Sequence, residues 1–224
     1  MNPFRFGRQH APALLLLLAG GLAQAASFDC AKARSDTEKR ICADPAVSQL
    51  DGELALAYRD TLAAARHKAA LKGWQKQWLV AVRDNCADAA CLKRAYADQI
   101  TELREHRQAV AAGGGVSGRY DRQYENKVDK TGTIEVFALL NGRVRLVGSA
   151  LWYGINPDNV HVGEINGVAR LDKNVLQYRD GDDEYSCKLT ISFSADALRV
   201  SGDNGHCGGH NVTFDDAYRR AAVK

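Results

Sequence analysis

Beyond residue 25 the 224-residue sequence holds no apolar run long enough to cross a bilayer as a helix. It has little excess of charge: 30 Lys and Arg face 27 Asp and Glu, a formal net charge of +3. The stretches on either side of Gly113 are each close to neutral, so neither offers the basic footprint that nucleic acid requires. The motifs of several catalytic chemistries are also missing. There is no G-x-S-x-G elbow, no H-E-x-x-H pair, and no glycine-rich phosphate loop followed by Lys and Ser or Thr. These absences argue against a membrane span and a nucleic-acid partner, and they leave no catalytic constellation. A non-enzymatic protein is expected, with no cofactor and no resident metal.

What is present begins with a leader. Arg5 and Arg8 precede the run Leu14 to Leu18, and Ala23-Gln24-Ala25 closes the stretch in an A-x-A pattern. Residues 1–25 read as a cleaved secretory signal peptide. Its removal takes two of the 30 basic residues and none of the acids, leaving a net charge of +1. Ser27, Phe28 and Asp29 separate this site from Cys30, a spacing unlike that of a lipid-attachment cysteine. A periplasmic or secreted protein is expected. The six cysteines, an even number in an exported chain, favour disulfides over thiols or metal.

Two cysteine pairs, Cys30 with Cys42 and Cys86 with Cys91, bracket a helical segment. Val47, Leu50, Leu54, Tyr58 and Leu62 recur at steps of three and four, as do Leu71, Trp74, Trp78 and Val82. Ser35-Asp36-Thr37-Glu38 reads as a capping box, and Asp44-Pro45 as the start of a long helix. Gly73 is taken as the turn before the next helix, and a third stripe runs from Cys91 to about Val110. A helix up and a helix down would bring the chain near Cys86 beside Asp44. All four thiols then lie at one end of a hairpin, and three pairings stay open.

Ala111-Ala112-Gly113-Gly114-Gly115 breaks this pattern, and a period of two follows it. Ile134, Val136 and Ala138 alternate, then Val144, Leu146, Gly148, Ala150 and Trp152, with the hairpin signal Asn141-Gly142 between them. Further strands are expected at 160–171, 175–179, 185–194, 198–200 and 211–214. The expected class is α+β with two domains: a disulfide-tied helical hairpin or bundle over 26–110, a linker over 111–116, and a small antiparallel barrel or sandwich over 117–224. Cys187 and Cys207 are expected to bridge neighbouring strands there.

Few residues carry candidate chemistry. Asp180, Asp182, Asp183 and Glu184 place four carboxylates within five positions. They suit a solvated loop, or an acidic surface that steers a cationic protein. His206-Cys207-Gly208-Gly209-His210 with Asp203 has metal-ligand residue types, but a bond to Cys187 would remove the thiolate and the glycines fit a tight turn. His67 and His106 are expected on exposed helical faces. Trp74, Trp78 and Trp152 fall within apolar stripes, which points to core positions before interface anchors.

Phe28-Asp29-Cys30, Glu38, Ile41-Cys42, Leu50-Asp51, Leu54, Tyr58, Gln75, Trp78, Arg83-Asp84, Cys86, Cys91-Leu92, Tyr96 and Leu103 follow one another in a specific order. Through them residues 28–107 resemble the LprI-type lysozyme-inhibitor N-terminal domain. The resemblance implies an exported, disulfide-tied helical domain and, because a member of that family inhibits lysozyme, a protein partner such as lysozyme. The resulting expectation is an exported binding protein that inhibits lysozyme or a related glycan hydrolase. The other expectation is an envelope-associated binding or structural module without such a target.

Overall fold

The computed structural model describes residues 26–156 and 158–222. The leader expected over residues 1–25 lies outside them. Ser35 caps the first helix, α1 (Asp36–Ala43): its hydroxyl accepts the Glu38 N–H at 3.1 Å, and the Glu38 carboxylate accepts the Ser35 N–H at 3.0 Å. Asp44 caps α2 (Pro45–Ala64) by accepting the N–H groups of Ala46 and Val47. Proline at the first helical position loses no hydrogen bond there. Helix α3 (Lys68–Trp78) passes into a π-helical turn, Leu79–Arg83, and α4 (Ala89–Ala111) starts on an Asp88 cap that accepts the Cys91 N–H at 2.7 Å.

Two disulfides fix this layer, Cys30–Cys42 and Cys86–Cys91, so each cysteine pairs with its neighbour in sequence. The hairpin end closes between them. Arg40 donates to the Cys86 carbonyl at 3.2 Å, and Lys93 pairs with Asp44 at 2.7 Å. Gly73 lies inside α3 and not in a turn. A helix-interior glycine costs up to about 1 kcal/mol relative to alanine, and burial of Leu71 and Trp74 on either side outweighs it.

Eight antiparallel strands follow in a closed up-and-down barrel: β1 (Gly118–Tyr124), β2 (Lys127–Ala138), β3 (Arg143–Tyr153), β4 (Val160–Asp172), β5 (Val175–Arg179), β6 (Lys188–Phe193), β7 (Ala197–Ser201) and β8 (Asp216–Arg220). Closure pairs β1 with β8, so neither is left as an edge. Asn141 and Gly142 take φ of 58° and 70°, and the Arg143 N–H closes that turn on the Leu140 carbonyl at 3.1 Å. The last strand is Asp216–Arg220; the stretch 211–214 expected as a strand belongs to the connection before it.

Inward-facing strand residues fill the barrel, among them Ile134, Leu146, Ile165 and Ile191, and Phe214 of the β7–β8 connection joins them. The helices cover part of its outer wall. Phe137, on the outward side of β2, belongs to the helical core: its ring lies 4.7 Å from that of Trp74. Arg145 of β3 donates to both carboxylate oxygens of Glu102, at 2.8 and 2.6 Å. His106, expected on an exposed face, is buried here, because β2 covers that side of α4. Its Nδ1 meets the Ala138 carbonyl at 3.0 Å, an acceptor, so the proton sits on Nδ1. Burial holds its pKa below the usual histidine value, opposed by that hydrogen bond.

Candidate interaction surface

The up-and-down topology sends the connections β1–β2, β3–β4, β5–β6 and β7–β8 to one end of the barrel. The β5–β6 connection carries Asp180, Asp182, Asp183 and Glu184, all exposed. Two of these carboxylates shape the loop. Asp180 Oδ1 accepts the Cys187 N–H at 2.8 Å, and Asp183 Oδ1 accepts the Ser186 hydroxyl at 3.0 Å. Asp182 and Glu184 form no hydrogen bond or ion pair with another described residue, and their charge faces solvent.

Cys187 is bonded to Cys207, which ties this loop to the long β7–β8 connection. Asn204 adds two links: its amide N–H donates to the Ser186 carbonyl at 2.9 Å, and its side-chain oxygen accepts the Lys188 N–H at 3.1 Å. The long connection is itself held across the barrel mouth. Gly208 bridges to Gly163 of β4, where an added Cβ on Gly208 would lie 2.5 Å from the Gly163 backbone, so only glycine fits. Arg122, buried inside the wall, donates to the Thr213 carbonyl and, at 3.0 Å, to the Tyr218 hydroxyl. Burial pushes the Tyr218 pKa up to about 12, so that hydroxyl stays protonated and donates onward to the Phe214 carbonyl. The acidic loop is therefore displayed on a braced platform.

The metal-type motif resolves into structural roles. Cys207 has spent its thiol on the disulfide, and both Asp203 oxygens accept loop N–H groups, from Gly205 and Phe214. Among the described residues no group of three or more His, Cys, Asp and Glu is arranged to hold a metal ion. Trp74 and Trp78 are buried in the helical core, while Trp152 is partly buried at the barrel mouth with its ring 5.1 Å from that of His161.

Sequence reasoning missed Asn204, Arg122 and the β3–β4 turn. Asn204-Gly205 is a turn dipeptide of the kind used elsewhere in the chain, and it was a readable signal. In the β3–β4 turn Ile155 is fully exposed among Gly154, Asn156 and Asn159, where an isoleucine has no packing role. Many residues that carried the family resemblance pack among themselves instead. Asp51 accepts the Tyr96 hydroxyl at 2.7 Å and the Ser27 N–H at 2.7 Å; Gln99 donates to Gln75 at 3.0 Å; the rings of Trp78 and Tyr96 meet edge-on at 5.3 Å. That signature specifies the helical core, not a contact surface.

These features define a class: a disulfide-braced helical layer against a filled β-barrel, with loops displayed at one end. The chain is 30% identical over 165 residues to Lipoprotein LprI of Mycobacterium bovis, covering 65% of this chain and 79% of that protein. The same identity and coverage hold for Lipoprotein LprI of Mycobacterium tuberculosis. No family model matches the chain, and no solved structure matches it. The chain belongs to the LprI family.

Proposed function

We propose that this chain is an exported binding protein that inhibits lysozyme or a related glycan hydrolase. The observation that carries the reading is the acidic β5–β6 loop, exposed and locked by Cys187–Cys207 onto the β7–β8 connection. Kinship with proteins named Lipoprotein LprI supports it, through the lysozyme inhibition that the family resemblance implies. Lysozymes are basic, and an inhibitor must present a surface that does not yield as the enzyme closes on it. Preformed loops reduce the ordering cost of such a complex. Three disulfides suit an oxidising compartment, in keeping with export by the leader at residues 1–25 into the periplasm or medium. In this reading residues 26–110 form the helical domain, 111–116 a linker, and 117–224 the domain that bears the contact.

The test is a lysis assay: cell walls and lysozyme, with and without the purified chain at rising molar ratio. Slower lysis that saturates near equimolar protein supports inhibition. Unchanged lysis at large excess sinks it and favours an envelope-associated module without a lysozyme target.

A further inference from the structure

Resting on the reading above, we infer that the outer face of the β3–β4 hairpin tip, with Ile155 at its apex, is the affinity-determining contact for a cationic protein. Tyr153 pairs with Val160 and Leu151 with Val162 across these strands, so the four side chains share one face. Ala150, two positions before Trp152 on the alternate face, points into the barrel core, so this set points outward. Tyr153, Val160 and Val162 are exposed there, and Ile155 stands beyond them with its side chain wholly in solvent. The turn that presents it is held by the Gly154 N–H on the Asn159 carbonyl and the Asn159 N–H on the Asn156 carbonyl, both at 2.9 Å.

The concentration of apolar surface at this end is uneven. Seven of the eleven exposed large hydrophobic side chains among the described residues lie there, Tyr124, Val128 and Tyr185 completing the set. Isolated exposed apolar side chains are ordinary, whereas neighbours paired on one face, as Tyr153, Val160 and Val162 are, mark a contact surface.

Charge selects the occupant. The four connections at this end hold eight carboxylates, with Glu125, Asp158, Asp203 and Asp215 joining the acidic loop, and no Lys or Arg. The three connections between strands at the opposite end hold one of each sign, Lys173 and Asp196. A second copy of this chain would bring like charges together, and an anionic lipid surface would be repelled. A basic protein is attracted, and the apolar face then supplies the contact that slows its departure. The division is physical: charges raise the encounter rate, and desolvated apolar anchors set the lifetime.

The experiment is surface-immobilised binding kinetics on the full chain with disulfides intact. Probes are lysozyme and two other basic proteins, cytochrome c and ribonuclease A. Tyr153→Ser and Ile155→Ser are compared with Val175→Ser, which alters an exposed apolar side chain at the opposite end. Because Ile155 is fully exposed, its variant should fold; Tyr185→Ser gives a second site on the same end. The expected result is dissociation from lysozyme roughly tenfold faster for Ile155→Ser, association within about twofold, and no change for Val175→Ser. If lysozyme binds and the tip variants dissociate like the parent, this inference is overturned and the inhibitor reading stands. If lysozyme does not bind but another basic probe does, with the same dependence on Ile155, the inference survives and the lysozyme reading falls. If no basic probe binds, both fall.

Discussion

The Trp74 ring lies 4.7 Å from that of Phe137, and His106 meets the same phenyl edge-on at 5.2 Å. Phe137 thereby sits inside a helical core whose other buried members precede position 112, and Val147 of β3 packs against it as well. Phe137→Ala should lower stability by about 3–5 kcal/mol, as deletion of a buried phenyl does elsewhere. Thermal unfolding followed by tryptophan fluorescence and by far-UV circular dichroism should show both signals moving down together. A drop under about 1 kcal/mol would mean the helices and barrel do not share this core.

The sequence made part of this arrangement readable and hid part of it. Alternation over Ile134–Trp152 is visible because the inward positions of β2 and β3 are largely aliphatic, Ile134, Val136, Val144, Leu146 and Ala150 among them. Strand β1 was not visible: its inward positions are Tyr120 and the buried Arg122, set among polar residues. Strand β8 has one apolar anchor, Tyr218, too few to show a period. His106 was misjudged because a helix stripe shows which face is apolar and not which face a distant strand will cover. The clue in the sequence is Val136-Phe137, two adjacent apolar residues in an alternating run, which puts one on each side of the wall, and both are buried. At the candidate surface the acidic loop was legible as a charge cluster. Its bracing was not, because Asn204 and Cys207 reach it from another connection.

His106 gives the fold an acid limb. Burial holds its pKa below the unfolded value of about 6.5, so the native state keeps a neutral ring where the unfolded chain takes a proton. Stability from this site is therefore full above about pH 6.5 and is lost as pH falls through the unfolded and then the folded value. The packed neighbours, Trp74, Phe137 and the Ala138 carbonyl, offer no carboxylate to compensate a charged ring. Melting temperature measured from pH 7.5 to 5 should fall more steeply for the parent than for His106→Gln. Parallel slopes would remove His106 as the cause.

Cys187–Cys207 should matter more for the surface than its position suggests. Replacing both with alanine should cost roughly 2–5 kcal/mol in stability. It should also raise hydrogen exchange at Lys188 and Asn204, whose backbone N–H groups each bond the other residue and so link the start of β6 to the β7–β8 connection. Peptide mapping of the parent under non-reducing conditions should find three bonds: Cys30–Cys42, Cys86–Cys91 and Cys187–Cys207. A partner other than Cys207 for Cys187 would mean that the acidic loop is not tied to the β7–β8 connection.

The acidic loop divides into shaping and steering groups, and a test of steering should leave the first alone. Asp180 and Asp183 hold the loop through the Cys187 N–H and the Ser186 hydroxyl, so altering them changes both charge and shape. Asp182→Asn with Glu184→Gln removes two exposed charges and no hydrogen bond among the described residues. Association with lysozyme should slow by roughly two- to tenfold at low salt, with dissociation little changed, because exposed charges act on encounter. The difference from the parent should shrink near 0.1 M salt, where the screening length is about 10 Å. Equal association rates at low salt would show that Asp182 and Glu184 only solvate the turn. A faster dissociation at unchanged association would place them in direct contact with the partner instead.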